Sequence, residues 1–547
     1  MFTNVVNYFG LHLFDIFILL FVAAFTLIWF QWITKKLSSV PLAPLPPGPR
    51  GLPIVGYFPY LSQNLHIDLT ALGEVYGPIY KFWMGTKLCV VINSPQLVAQ
   101  VGREQDIIFS NRDVGVSASI ISQGGLNISF QPYGTDWKKL RKILVREMLN
   151  NSVLDNLTEL RRQEVRKSVK CIYEKRESPV NIALFTYQTT INCVIGMTIG
   201  TSLEENESVS HVDGSKFKKA VEELFELLAK PNISDIFPML KWFDIQKIGR
   251  DTERINQVFE MVFDDAIAKK KKKAMKTNGN YSPILNESTT KDILQSLVEL
   301  HLQPQDKDTY ITIPEIKAIL MDIFVAATDT ITTSVEWAMT EIMRNPNVLN
   351  KVNEELKQVV GLNNTLEESH LSKLTYLNAV YKETLRIHPP GPFLIPRSSS
   401  QSTIVGGYTI PKGTAIFLNV WSIQRDPSVW ENPLEFLPER FLMSGISDHN
   451  GSSNIGGNNN EYNFSGNTFD YIPFGTGRRI CPGASLGERM SLIILASFLH
   501  YFHWKLPNDT ELELSDKFGL ALKKRVPLIA IPTPKYSDLE LYTTISN

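Results

Sequence analysis

The chain has 547 residues, 43% hydrophobic and 20% charged, a composition that suits one well-filled globular body. Its 55 basic and 56 acidic residues leave a formal net charge of −1, so charge gives no reason to look for a nucleic-acid partner. The four cysteines, Cys89, Cys171, Cys193 and Cys481, stand far apart with no CxxC among them. That argues against a disulfide framework or a zinc site and suits a reducing compartment.

Residues 1–34 differ from everything after them. The run LHLFDIFILLFVAAFTLIWFQWI, Leu11 to Ile33, rises about 1.5 Å per residue as a helix, enough to cross a hydrocarbon core of ~30 Å. Trp29 and Trp32 suit an interface, and the first positive charges, Lys35 and Lys36, follow the run instead of preceding it. The reading is therefore an uncleaved single-pass anchor with its C-terminal side in the cytosol. The sequons at Asn127, Asn150 and Asn156 would then never meet the glycosylation machinery. Residues 35–56 are a proline-rich hinge. In PLAPLPPGPRGLPIVG the prolines fix φ, which makes a stiff spacer expected to hold the body at a set height above the membrane.

One body is expected over 57–547. Helical periodicity is clear at Asp136–Leu149, Ser215–Leu228, Pro314–Met343 and Lys373–Ile387, and β-like runs stand at Ile79–Met84, Leu88–Ile92, Thr414–Leu418 and Leu528–Ile531. The fold class is mainly α with small β-sheets. The lysines at Lys269–Lys273 read as the solvated end of a helix. The stretch SGISDHNGSSNIGGNNN, 444–460, cannot bury enough apolar surface to offset its ordering entropy, so a mobile surface insert is expected over 444–466.

FGTGRRICPG, Phe474 to Gly483, holds one cysteine among glycines and arginines. A buried structural cysteine needs no such frame. A nucleophile needs a histidine base, which nine histidines leave open. A phosphate loop would need GxGxxG or GxxxxGK[ST], and neither is present. A heme iron takes one axial thiolate, glycines let the backbone come close to a flat macrocycle, N–H groups tune the sulfur, and arginines answer propionates.

The stretch resembles the heme-binding loop of the cytochrome P450 family, FxxGxRxCxG, and the likeness runs from the proline hinge to the C-terminus. It implies a helix-rich prism with heme b between two long helices, behind a single transmembrane helix. It implies Cys481 as iron ligand, with Phe474, Gly475, Arg479 and Gly483 around the heme. WKKLR carries Trp137 and Arg141, and LIPRS carries Arg397, which match further propionate-binding positions. KETLR supplies the pair Glu383 and Arg386, joined by Arg440 of FLPERF in a structural network. In VAATDTITTS, Ala326, Asp329 and Thr330 read as one helix face, the acid and alcohol relaying protons that help cleave O–O. Ala327 and Ile331 depart from the family pattern at the oxygen groove.

The resemblance implies a monooxygenase that uses O2 and electrons from NADPH. The chain lacks a nicotinamide or flavin fingerprint, so the electrons would come through the NADPH–cytochrome P450 reductase of the endoplasmic reticulum, with cytochrome b5 as a further partner. Lys138, Lys139, Lys142 and Arg146 are a candidate docking face. Several segments, among them YNFSGNTFDYIPFG, resemble a plant microsomal group that includes δ-cadinene (sesquiterpene) hydroxylases, with flavonoid hydroxylases and aldoxime dehydratases as relatives. The expected substrate is lipophilic, a terpenoid first. It would meet Ile120, Ile121, Leu126, Phe324, Val325, Phe393, Leu394, Ile395, Leu520 and Leu522.

Overall fold

The structure, a computed structural model, describes residues 43–200, 214–277, 291–304, 310–442, 462–507 and 511–544, together with separate positions between 18 and 30. The expected anchor therefore lies largely outside the described residues. Its described positions are helical, with exposed side chains such as Leu19, Leu27 and Phe30. The low-complexity stretch 444–460 lies wholly outside them.

Seven helices frame the site: α1 (Thr135–Ile143), α2 (Ile182–Ile199), α3 (Gly214–Ala229), α4 (Ile248–Thr277), α5 (Ile313–Arg344), α6 (Thr375–Ile387) and α7 (Ala484–Tyr501). Helix α5 begins where the sequence supplies a complete start signal. Thr312 accepts from the Glu315 N–H, the Glu315 carboxylate accepts from the Thr312 N–H, and Pro314 sits in the first turn. It ends before Pro346, which begins the next helix. Both α2 and α5 are long and apolar enough to cross a membrane, yet both are mostly buried core helices. The hydroxyls of Thr328, Thr330, Thr332 and Ser334 each donate to the carbonyl four residues back, which satisfies polar groups inside an apolar body. Around α5, α2, α6 and α7 one apolar cluster gathers Phe324, Val335, Met339, Leu377, Met490 and Phe498.

The larger sheet lies to one side. It contains β1 (Ile79–Met84), β2 (Lys87–Ile92), β3 (Asn111–Arg112), β4 (Arg397–Ser398) and β5 (Ala415–Leu418), in the order β1-β2-β5-β4-β3. Only β2 and β5 run parallel, with Cys89 opposite Ala415; the β3–β4 pairing sets Arg112 opposite Arg397. A separate hairpin, β6 (Asp516–Lys517) and β7 (Lys523–Lys524), reaches α5 through β7.

The four strand-like runs are strands to within a few residues, and the four helical runs are helices. One helix changes character partway: α1 stops at Ile143 and continues as a π-turn over Leu144–Met148. The hinge corrects a further expectation. From Ala43 onward it does not stand off as a spacer but packs on the body. Proline cannot donate, but its carbonyl accepts: Pro47 takes the Lys81 N–H at 2.8 Å and Pro44 takes the Thr409 N–H at 2.8 Å. A Cβ on Gly48 would stand 1.9 Å from the Lys81 oxygen, so only glycine allows this docking.

Candidate active site

The turn around Cys481 is built by backbone. Gly475 and Gly477 adopt φ of 82° and 62°, and the Cys481 N–H closes the loop on the Phe474 carbonyl at 2.9 Å. A Cβ on Gly477 would fall 2.2 Å from the Gly102 oxygen, so only glycine fits there. Cys481 is a free, half-buried thiol. Burial pushes its pKa up, while the Gly483 N–H and the Arg141 guanidinium pull it back toward the thiolate. The Phe474 ring packs edge-on to Phe464 at 4.7 Å and faces Gly487 of α7.

Beside this loop the structure gathers the expected arginines. Arg141 donates to the Ile480 carbonyl at 2.6 Å. Arg397 reaches the Thr476 carbonyl at 2.6 Å and Asp106 at 3.1 Å. Arg479 donates to the carbonyls of Ser110, Ile128 and Gln131, with its guanidinium 4.6 Å above the Trp137 ring. Trp137 is buried and gives its own N–H to the Ile128 carbonyl at 3.0 Å.

A fourth guanidinium, Arg112, joins them across the sheet. Burial and the neighbouring Arg397, Arg479 and Arg141 push its pKa well below the ordinary arginine range, and Arg479 falls to about 10. Two carboxylates face the four cations. Asp106 holds Arg397 and also Arg478. Asp322 of α5 accepts from Asn127 and from the Ile128 and Ser129 N–H groups. Counting Arg478, five guanidiniums against two carboxylates leave a positive surplus beside a single thiol. That surplus fits a ligand with two carboxylates, as heme has, and the lone sulfur fits its iron.

Helix α5 supplies the facing wall. Its stretch from Ile331 to Ile342 is buried throughout, yet Ala326 and Thr330, one turn apart, are exposed in the middle of the helix. Small side chains there leave room above the macrocycle site. The expected single face needs correction at Asp329. Neighbouring residues point about 100° apart, and Asp329 is buried beside the open face, paired with Lys523 of β7 at 2.5 Å.

Behind the site Arg386 and Glu383 of α6 form a fully buried pair at 2.7 Å. Arg440 joins at 3.2 Å, and Arg386 also donates to the carbonyls of Gln424, Pro433 and Glu435.

The expected substrate-facing residues divide. Ile121, Phe324, Phe393 and Leu522 are core side chains; Phe324 lies in an aromatic group with Phe217 and Phe263, at 5.3 and 5.9 Å. Ile120, Leu126, Val325, Leu394, Ile395 and Leu520 remain partly or fully exposed. Of the basic residues on α1 and the π-turn that continues it, Lys139 is tied to Glu315 at 2.6 Å, while Lys138, Lys142 and Arg146 are exposed.

Arg112, Asp106, Asp322 and Lys523 were not legible as site residues. Each acts through a strand pairing, a helix crossing or a hairpin that joins distant parts of the chain, and none sits in a local motif.

The sequence model for the cytochrome P450 family matches residues 46–530. A flavonoid 3'-monooxygenase of Crocosmia x crocosmiiflora is 34% identical over 92% of this chain and 96% of its own length. A flavonoid 3'-monooxygenase of Petunia hybrida is 35% identical over 90% of this chain and 92% of its own, and a carnosic acid synthase of Salvia pomifera 35% over 89% and 93%. Among solved structures, a zebrafish cytochrome P450 with abiraterone superposes with a TM-score of 0.67, at 22% identity, covering 86% of this chain and all of that one.

Proposed function

The chain belongs to the cytochrome P450 family, and from that premise we propose how its residues serve the reaction and which molecules it oxidises. It is a heme-thiolate monooxygenase of plant specialised metabolism. The family uses heme, O2 and NADPH-derived electrons delivered through a reductase. When bound, heme supplies the oxygen-activating chemistry that no side chain can.

The geometry supports the following roles for this chain's own residues. Cys481 would hold the heme iron through its sulfur, which its loop fixes and the Gly483 N–H would tune. Arg112, Arg141, Arg397 and Arg479 receive the two propionates, with Trp137 as the packing platform for Arg479. Phe474 walls the sulfur. Ala326 leaves room for dioxygen, and Thr330, beside Asp329, hands on protons. The exposed Ala326 and Thr330 of α5, together with the lone thiol and its arginine cluster, are the observation that supports this assignment.

The substrate is a lipophilic metabolite, and a flavonoid-type molecule is the first choice. Flavonoid hydroxylases match about nine-tenths of this chain, and the exposed lining is largely apolar. A terpenoid is the second reading, supported by that same apolar lining. The body works at the cytosolic face of the endoplasmic reticulum membrane, behind residues 1–34. Trp242, Met239, Phe243 and Ile245 are strongly exposed around the short 3-10 turn Pro238–Phe243 and suit a lipid surface.

Co-expression with a plant reductase in yeast microsomes, fed flavonoids, sesquiterpenes and aldoximes and read by mass spectrometry, tests this reading. Wild-type microsomes should show the reduced carbon-monoxide band of cysteinate-bound heme and a flavonoid carrying one added oxygen; Cys481→Ala should show neither. Product from a sesquiterpene alone would select the second reading. Conversion of an aldoxime without reductase or O2 would remove the monooxygenase assignment.

A further inference from the structure

Asp329 holds an unusual position. It is 4% exposed, and only one of its oxygens is engaged, by Lys523 at 2.5 Å. The other, Oδ2, has no hydrogen-bond partner among the described residues. The Tyr187 hydroxyl of α2, also without a partner among them, lies within electrostatic reach of Asp329 and of Glu222 on α3. Lys523 is attached to neither helix. It projects from β7, immediately after Leu522, whose N–H is fixed to the Pro390 carbonyl and whose own carbonyl accepts from Trp337 of α5. Its ammonium lies 5.7 Å from the Phe225 ring of α3 and is 42% exposed. The next residue, Lys524, is the cation that faces Glu336 one level along α5.

We propose that Lys523 is a positioning residue for proton delivery: the β6–β7 hairpin clamps one oxygen of Asp329 and leaves the other free to take a proton from water and hand it on beside Thr330. The inference rests on the monooxygenase reading above and adds the part that no acid–alcohol pattern contains. Four elements meet around the carboxylate. Helix α5 carries it, α2 brings Tyr187 with Glu222 of α3 beside that tyrosine, and β7 brings the cation. The cycle balances without any other reactant. Asp329 gives up one proton, returns to a carboxylate paired with Lys523, and is reprotonated at Oδ2 by solvent water. The ammonium keeps its own protons throughout. Burial, the larger effect, raises the Asp329 pKa, and Lys523 lowers it.

The test uses the full-length holoprotein with aspartate labelled at the carboxyl carbon. Infrared difference spectra are taken as pH is varied, and Asp329→Asn assigns the band. In Lys523→Met the midpoint at which Asp329 takes its proton should rise by about one pH unit or more, roughly tenfold in proton affinity. Lys523→Arg should restore it. With the substrate accepted in the microsomal panel, Lys523→Met should release more peroxide per NADPH, and Lys523→Arg should recouple. A midpoint unmoved in Lys523→Met, or moved equally in both variants, overturns the proposal; so does wild-type coupling in Lys523→Met. Should Lys523→Met fail to fold, Lys523→Gln takes its place. A wild-type chain lacking the carbon-monoxide band would defeat the heme-thiolate reading, and the infrared shift would still decide the role of Lys523.

Discussion

Asp322 is a single carboxylate that fastens a loop to a helix. It accepts from Asn127 at 2.7 Å and from the N–H groups of Ile128 and Ser129 at 2.7 and 3.2 Å, which brings the chain before α1 against α5 beside the arginine cluster. Those donors favour its charged form, but burial outweighs them and raises its pKa to about 6 from an ordinary 3.8. A raised carboxyl contributes stability that is complete below about pH 4 and is lost as pH climbs through about 6, a change of about 3 kcal/mol across that window. Asp322→Asn cannot titrate there, so its unfolding free energy should decline less than that of the wild type across this window, where other buried carboxyls such as Glu336 still titrate. Urea unfolding at pH 4 and pH 7 measures this, and equal slopes would show that Asp322 does not titrate there. Cys481, Arg397 and Arg479 were readable from their local words. Asp322 was not, because its partners are backbone N–H groups almost two hundred residues away, and sequence carries no trace of which carbonyls or amides a fold will bring close.

At the scale of the element, α6 shows how one helix braces the site. KETLR spaces Glu383 and Arg386 by three, and the fold buries both completely. Arg386 then spends its remaining donors on three carbonyls and lies 5.1 Å from the Trp430 ring. Arg386→Ala should strand a buried carboxylate at a cost of roughly 3–5 kcal/mol and yield little folded holoprotein. Pairing it with Glu383→Leu should recover part of the loss, read as thermal unfolding of whatever protein accumulates. If the single variant unfolds at the wild-type temperature, the pair is not the brace. The spacing was legible in the sequence, as were the starts and ends of α5 and α6. The aromatic packing of Phe324 was not, because an apolar residue beside a pocket and one beneath it look alike in a helical pattern.

The whole molecule has two sides with different neighbours. From Ala43 onward the hinge lies bonded along β1 and the Thr403–Ile410 hairpin. Trp242 is 94% exposed. In bilayers containing brominated lipid, wild-type tryptophan fluorescence should be quenched, and Trp242→Phe should lose the share of that quenching that Trp29 and Trp32 of the anchor do not supply, while remaining membrane-bound. Unchanged quenching would place the Pro238–Phe243 turn in water. The fold class was readable from periodicity, and the orientation of the body was not, because hinge docking depends on carbonyls that prolines share with every other residue.

The pairing of Arg112 with Arg397 across β3 and β4 reaches further than the site. Two guanidiniums facing each other on one ladder repel, and the fold keeps them there although a neutral residue would pair more comfortably. A dianionic guest relieves that repulsion only in the folded state, so its binding adds directly to stability. Newly made chain without its pigment would be the weaker species, the one that chaperones hold and proteases clear. The amount of folded enzyme in a cell would then follow the supply of porphyrin.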